Sequence, residues 1–368
     1  MQFLVLIRVL NHTKTLNLKF SNAMNPTLIS VNPLTQNSTQ WTVEKANEWY
    51  AKQPWFIGCN FAPSTAINQL EMWQEESYDE ATIIKELSLA RSLGFNIIRV
   101  YLHNLLWEAD AEGFKKRIDH FLSLADGFGI KVLLVLFDDC WNHIANLGVQ
   151  PAPKPGVHNS GWVAAPGRER ILNKIGWDKL EAYTKDILTS FSGDERIVIW
   201  DLYNEPGNEG LKEQSMDLLQ HVFHWAWDVR PTQPLTAGSW NAEFVNLNAF
   251  KRKHSDIITF HNYLDADTLE KEIIELKQYG RPIICTEYMA RTSKSFFETH
   301  LPVFRKYNVG AINWGLVAGK TNTIFPWGSP EGTVEPEIWF HDIFRTDGTP
   351  YNENEIKTIR KITGVEAN

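Results

Sequence analysis

Short apolar runs alternate with longer amphipathic segments along most of the chain. The runs are rich in Ile and Val and close on loop chemistry, the pattern of strands. Eight are predicted, at 55–61, 96–102, 131–137, 197–203, 234–238, 257–263, 282–288 and 310–314. Between them, apolar positions recur at helical spacing over 81–93, 114–128, 180–191, 215–229, 268–279 and 295–307. Gly94, Gly129 and Gly280 each follow one of these segments, as helix stops do before a strand.

Most of the runs do not alternate polar and apolar residues. A strand of that kind is buried on both faces, which implies a parallel sheet under helices. Eight such units predict a closed (β/α)8 TIM barrel in a single domain, spanning 41–368. The competing open sheet lacks its usual support, since no GxGxxG follows the first run and no P-loop occurs. Two connections are long. The one over 138–176, after strand 3, carries Pro151, Pro153, Pro155, Gly156, Gly161 and Trp162; the one over 315–337, after strand 8, carries Pro326, Trp327 and Pro330. Both leave the strand ends where barrel active sites sit. Residues 1–40 read as a leader or flexible segment outside the barrel. Their apolar stretch at 3–10 is short and broken by Arg8, and Ser21 and Ala23 fit the small-residue rule for signal cleavage. An artificial junction at 21–24 or a start at Met24 fits equally. A signal would mean secretion or the periplasm, and otherwise the cytoplasm.

Charge narrows the partners. The 368 residues include 36 Lys+Arg and 44 Asp+Glu, a net charge of −8. An acidic chain without basic clusters does not suit nucleic acid. No apolar run approaches the roughly 18 residues of a membrane span. Cys59, Cys140 and Cys285 are neither a disulfide framework nor a zinc set. A monomer is expected. The 15 Trp, 10 Tyr and 20 Phe say more. Flat apolar rings with a polar handle suit sugar faces, so carbohydrate is the first ligand class to test. Trp200, Trp225 and Trp227 read as packing. Trp141, Trp162, Trp240 and Trp327 lie at strand ends or on long loops and are candidate sugar platforms. The stretch 69–73, with Trp73, reads either as a rim subsite or as an approach to a helix.

The predicted strand ends hold Arg99 and His103 (strand 2), Asp138 (strand 3), Asn204 and Glu205 (strand 4), and Trp240 (strand 5). They continue with His261 and Tyr263 (strand 6), Glu287 (strand 7) and Trp314 (strand 8). Two carboxylates facing each other across a narrow barrel can be a nucleophile and an acid/base. Asp138-Asp139-Cys140 with His143 allows a metal reading, but a loop cluster of that kind is usually polar surface.

Asp201-Leu202-Tyr203-Asn204-Glu205-Pro206 resembles the strand-4 signature of the retaining glycoside hydrolases of clan A. With His261-Asn262-Tyr263 and Thr286-Glu287-Tyr288, the chain most resembles glycoside hydrolase family 5, the cellulase family, over about 50–364. The resemblance implies a β-glycosidase working through a covalent glycosyl-enzyme, without metal or cofactor. It implies Glu205 as acid/base, Glu287 as nucleophile and Asn204 as donor to the sugar 2-hydroxyl. Arg99 and Tyr263 would keep Glu287 ionised, and Glu205 would be raised. His261 would hold the acid/base or the sugar, and Trp314 would floor the glycone subsite. Many family members place a histidine where Asp138 stands. A catalytically silent sugar-binding barrel and a transglycosylase using the same pair are the alternatives. An aldolase needs a strand-borne Lys and a barrel metal hydrolase needs His-x-His on strand 1, where Gly58-Cys59-Asn60-Phe61 stands instead.

Overall fold

A computed structural model describes residues 39–365. The leader reading, with Ser21, Ala23 and Met24, lies almost wholly outside the described residues. In chain order the elements are α1 (Val43–Ala51), β1 (Ile57–Asn60), α2 (Gln69–Trp73), α3 (Glu80–Ser92) and β2 (Ile97–Tyr101). There follow α4 (Asn104–Gly127), β3 (Lys131–Val135), α5 (Arg168–Asn173), α6 (Trp177–Ser190), β4 (Ile197–Asp201), α7 (Met216–Val229) and β5 (Leu235–Thr236). The series closes with α8 (Val245–His254), β6 (Ile258–His261), α9 (Ala266–Leu276), β7 (Ile283–Glu287), α10 (Phe297–Tyr307), β8 (Gly310–Asn313) and α11 (Glu353–Thr363).

The eight strands are parallel, in the order β5-β4-β3-β2-β1-β8-β7-β6. Ser239 closes the ring between β5 and β6, donating its N–H to the Thr259 carbonyl at 3.0 Å and accepting from the His261 N–H at 2.9 Å. This is a (β/α)8 barrel, and every predicted strand contains an observed one. The barrel is tight. A Cβ at Gly58 in β1 would lie 1.7 Å from the Ile97 carbonyl oxygen, so only glycine fits there.

Strand period explains both the buried runs and the site above them. In β2, Ile98 and Val100 pack outward against helices, while Ile97 and Tyr101 face the barrel interior. The inward row turns polar toward the C-terminal end: Ile97, Arg99, Tyr101 in β2, and Ile199, Asp201 in β4.

All six predicted helices are present. Helix α4 starts at Asn104, well before 114, because two helical pieces meet at Asp110, whose backbone is non-helical (φ −155°, ψ 80°). Asp110 caps the second piece by accepting from the Gly113 N–H at 2.9 Å. Helices α1, α2, α5, α8 and α11 were not predicted, because each is short or carries few apolar positions. In α2, Trp73 is fully buried and donates to the Tyr101 carbonyl at 2.8 Å, so 69–73 packs against the barrel and forms no rim subsite.

The two long loops are joined. The Asn159 N–H donates to the Thr321 carbonyl and the Gly332 N–H to the Pro155 carbonyl, both at 2.8 Å. Asn322 Nδ2 donates to the Lys154 carbonyl at 2.9 Å, and His158 Nδ1 lies 2.7 Å from the Phe325 carbonyl. The result is one continuous wall over one side of the barrel mouth.

Candidate active site

Arg99 is the hub of the site. It is fully buried, with its guanidinium donating to oxygens from β1, from β4 and the turn after it, and from β7. Nη2 donates to Asp201 Oδ2 at 2.7 Å and Asn204 Oδ1 at 2.6 Å, and Nη1 donates to Asn60 Oδ1 at 2.9 Å and Glu287 Oε1 at 2.8 Å. A planar fork that matches several oxygens at once is what arginine offers and lysine does not. The sequence leaves open whether its partner is a core acid or a site acid. It has both.

Glu287 is surrounded by donors. Tyr101 OH joins Arg99 on Oε1 at 2.9 Å, and Tyr263 OH donates to Oε2 at 2.8 Å. His261 links the two carboxylates, with Nδ1 2.7 Å from Glu205 Oε1 and 3.4 Å from Glu287 Oε2. One ligand atom from each of Glu205, His261 and Glu287 lies within 4.8 Å of the other two. Among the described residues this trio alone has metal-ligand spacing. A dication would have to displace the donors already on Glu287.

Glu205 stands on strained backbone, with φ +44° in the left-handed region that non-glycine residues seldom adopt. Such strain concentrates at functional positions. Its Oε2 accepts from Asn208 Nδ2 at 2.6 Å and from the Cys140 thiol at 3.2 Å. Cys140 Sγ in turn faces Asn204 Nδ2 at 3.4 Å and Asn208 Nδ2 at 3.3 Å. Beneath it, Asp138 accepts from Asn204 Nδ2 at 2.9 Å, the Cys140 N–H at 2.9 Å and Trp162 Nε1 at 2.8 Å. Asp139 accepts from Tyr203 OH at 2.7 Å and the Gly207 N–H at 2.8 Å, fixing the turn after Glu205. Asp138 and Asp139 are therefore buried supports. The expectation of polar surface fails because the loop folds down onto β4.

Burial dominates the electrostatics. It pushes both Glu205 and Glu287 above the ordinary carboxylate range. The Cys140 and Asn208 hydrogen bonds oppose that rise on Glu205; His261, Arg99 and Tyr263 oppose it on Glu287. Burial also lowers His261 to about 4, so its imidazole is neutral at pH 7. The Cys140 thiol is pushed well above its usual value by burial and the surrounding carboxylates, which makes it a donor rather than a thiolate.

These groups open into a cavity of about 1060 Å³. Asp138, Trp162, Asn204, Glu205, Trp240, His261, Tyr263, Glu287, Trp314 and Trp327 all line it, as does Trp141. Trp162 is almost wholly buried, set edge-on against Tyr101 and Trp314, so it backs the cavity more than it faces it. Trp327 is 45% exposed. His103 is not brought to the site. The chain turns into α4 at the next residue, and His103 caps that helix by accepting from the Leu105 N–H at 3.2 Å, with Nε2 3.1 Å from the Ala164 carbonyl. Tyr101, Asp201, Asn60, Cys140, Asn208, His158 and His341 are additional participants. Strand period would have found Tyr101, two residues after Arg99 on the same face. His158 and His341 lie in the joined loops, and no local pattern marks them.

A parallel eight-stranded barrel with two closely opposed carboxylates at its C-terminal mouth is the arrangement that retaining glycoside hydrolysis uses. The profile of the cellulase family (glycosyl hydrolase family 5) matches residues 57–319, and the chain belongs to that family. It is a retaining β-glycoside hydrolase acting on polysaccharide or oligosaccharide. No curated protein sequence matches it. Among solved structures, the hyperthermostable endo-1,4-β-D-mannanase from Thermotoga petrophila RKU-1 is similar, with TM-score 0.54 and 14% identity over 84% of this chain and 99% of that one. A GH5_18 protein from Streptomyces cattleya in complex with GlcNAc gives 0.57 and 12%, covering 85% and 81%. The endo-1,4-β-mannanase from Rhizomucor miehei gives 0.55 and 12%, covering 85% and 95%. Among the described residues no helix is long and apolar enough to cross a membrane.

Proposed function

We propose that Glu287 is the nucleophile and Glu205 the acid/base of an exo-acting β-glycosidase that removes one sugar at a time from β-mannosides. The observation that carries the pair is the 4.8 Å limit on the separation of the Glu205, His261 and Glu287 ligand atoms. It fits the roughly 5 Å spacing of double displacement and leaves no room for the water that an inverting enzyme holds between its carboxylates.

At this spacing two buried carboxyls share one proton. Glu287 has Arg99, Tyr101 and Tyr263 donating to it, so the negative charge settles there and the proton on Glu205. As the Glu287 carboxylate attacks the anomeric carbon, the Glu205 proton passes to the leaving oxygen and the glycosidic C–O bond breaks. Water then enters, gives a proton to Glu205, attacks the same carbon and releases Glu287. The second Nδ2 hydrogen of Asn204 meets only a sulfur at 3.4 Å, a weak partner that a sugar 2-hydroxyl displaces.

The wall is what supports exo action. Tyr263, the donor to Glu287, packs on Trp327 and His341 with ring centres 4.9 and 5.5 Å apart. His158 lies 5.4 Å from His341 and 5.5 Å from Trp141. These rings, backed by the joined loops, form the cavity wall beside Glu287, and on this reading the wall ends the glycone side after one sugar. Among the structural neighbours are an endo-1,4-β-D-mannanase and a GH5_18 variant in complex with Manβ1-4GlcNAc, which makes β-mannosides the class to test. Digestion of β-1,4-mannohexaose followed by NMR tests the reading. Free mannose appearing first, and as the β anomer, is expected; mid-length products or the α anomer would contradict it.

A further inference from the structure

Among the described residues three basic side chains are buried: Arg99, Arg291 and Lys251. Arg99 is paired with Asp201 and Glu287, and Arg291 with Glu355 at 2.6 Å. Lys251, among these residues, has no carboxylate partner. Its side chain is wholly buried, and Nζ makes one hydrogen bond, to the Gly238 carbonyl at 2.7 Å. An ammonium taken out of water is costly unless an anion or several acceptors replace its hydration. One neutral carbonyl does not replace it, so the charge is held by more distant groups or given up.

The position of this lysine shows which groups those are. β5 and β6 are the two ends of the strand order, and β5 is only two residues long. Single contacts close the seam between them. Thr236 Oγ1 donates to the Ile257 carbonyl at 3.0 Å, and Ser239 bridges to β6. Lys251 reaches this seam from α8 and takes the carbonyl of Gly238, the residue before Ser239. Gly238 lies against the His261 ring, where a Cβ would stand 3.4 Å from Nε2. The other ring nitrogen, Nδ1, is 2.7 Å from Glu205 Oε1. The ammonium thus stands one peptide group behind the ring that holds Glu205.

Glu205, Asp201 and Glu213 favour the charged lysine, and Arg252, next to it on α8, opposes it. Burial outweighs the carboxylates and lowers Lys251 to about 7. On Glu205, Arg99 and Lys251 both favour the carboxylate, as do the Cys140 and Asn208 hydrogen bonds; Glu287 and neutral His261 are the other titratable groups beside it. Lys251 does not line the cavity, so it acts on the reaction through its charge.

We propose that Lys251 is a positioning residue for the acid/base, an internal counter-cation in the β5–β6 seam that stabilises Glu205 while its carboxyl is ionised. The proposal rests on Glu205 being the acid/base. In the first half-reaction Glu205 gives its proton to the leaving oxygen and is left as an anion in a dry site. The ammonium behind His261 offsets that charge until water returns the proton.

Such coupling is reciprocal, so Glu205 must shift Lys251 as much as Lys251 shifts Glu205. With 13Cε-labelled lysine, NMR follows the lysine signal that titrates near neutral pH and that Lys251→Arg removes. In Glu205→Gln this signal is expected to titrate at least about half a pH unit lower than in wild type. Lys251→Met is expected to move the alkaline limb of the kcat/KM profile on β-1,4-mannobiose to higher pH by a similar amount, because Glu205 then keeps its proton longer. Lys251→Arg keeps the charge and should not raise the limb. A lysine that only props the seam would lower activity at every pH and move neither titration. Absence of the signal, or a signal unmoved in Glu205→Gln, overturns the proposal even if Lys251→Met fails to fold; an unmoved limb in folded Lys251→Met overturns it as well. The NMR arm needs no substrate, so it stands apart from the choice of sugar. Full activity of Glu205→Gln on mannobiose would instead overturn the acid/base reading.

Discussion

Two side chains show how the reaction is held in place, one of them plain in the sequence and one not. Arg99, inside β2, combines a buried cation with the Asp201 and Glu287 carboxylates. Removing one partner of such a network strands charge in a dry interior, which is why the pair and its donors act as a unit. Cys140 is different. Its role exists only because the loop after β3 folds back and sets the thiol against Glu205, so nothing in the local residues announced it. The thiol hydrogen bond favours the ionised form of Glu205. Cys140→Ala should therefore raise the Glu205 pKa further and move the alkaline limb of the kcat/KM profile to higher pH, because the acid must be protonated to act. A limb that stays in place or moves to lower pH would show that Cys140 does not tune the acid. Glu205, Glu287, His261 and Tyr263 were legible because each sits at the end of a readable strand, where a barrel must converge its polar ends.

At the scale of elements, the strands were readable because the barrel buries them twice over, and the long amphipathic helices because each covers a strand. Helix α8 was missed for a reason that matters to function. Its last turn is Lys251, Arg252, Lys253 and His254, which suits the negative end of the helix dipole but dilutes the apolar pattern. The face it turns to the cavity mixes Val245 and Ala249 with Asn248 and Arg252. Helix α3 carries a buried acid, Glu86, which accepts from the Ser64 N–H at 3.1 and 3.2 Å and is pushed up to about 7 by burial. The folded protein therefore holds this proton to a higher pH than the unfolded chain. Its contribution to stability falls as pH rises from about 4.5 to 7 and then levels. Glu86→Gln should match wild type near pH 4 and exceed it at pH 8 by up to about 3 kcal/mol. Denaturant unfolding at the two values checks this, and an equal effect at both would contradict it.

The described residues form a barrel whose two ends do different work. The lower end packs Ile97, Leu133, Ile199, Ile284 and Ile312 into an apolar plug, and the upper end replaces that row with Arg99, Asp201, Glu205, His261 and Glu287. The fold was legible because each β/α unit repeats one physical rule. The joining of the loops after β3 and β8 was not, because it rests on backbone contacts between segments more than 150 residues apart, such as Asn159 with Thr321. On the proposed exo reading, that wall makes a long chain enter by its end rather than lie across the mouth. The central claim, that Glu287 forms the covalent intermediate, is tested most directly by trapping it. A fluorine on C2 of a β-mannoside slows both steps, and a good leaving group restores the first, so the glycosyl-enzyme accumulates. Digestion and mass spectrometry should place the added fluorosugar on Glu287. A label on Glu205, or turnover with no covalent adduct at any residue, would contradict the account.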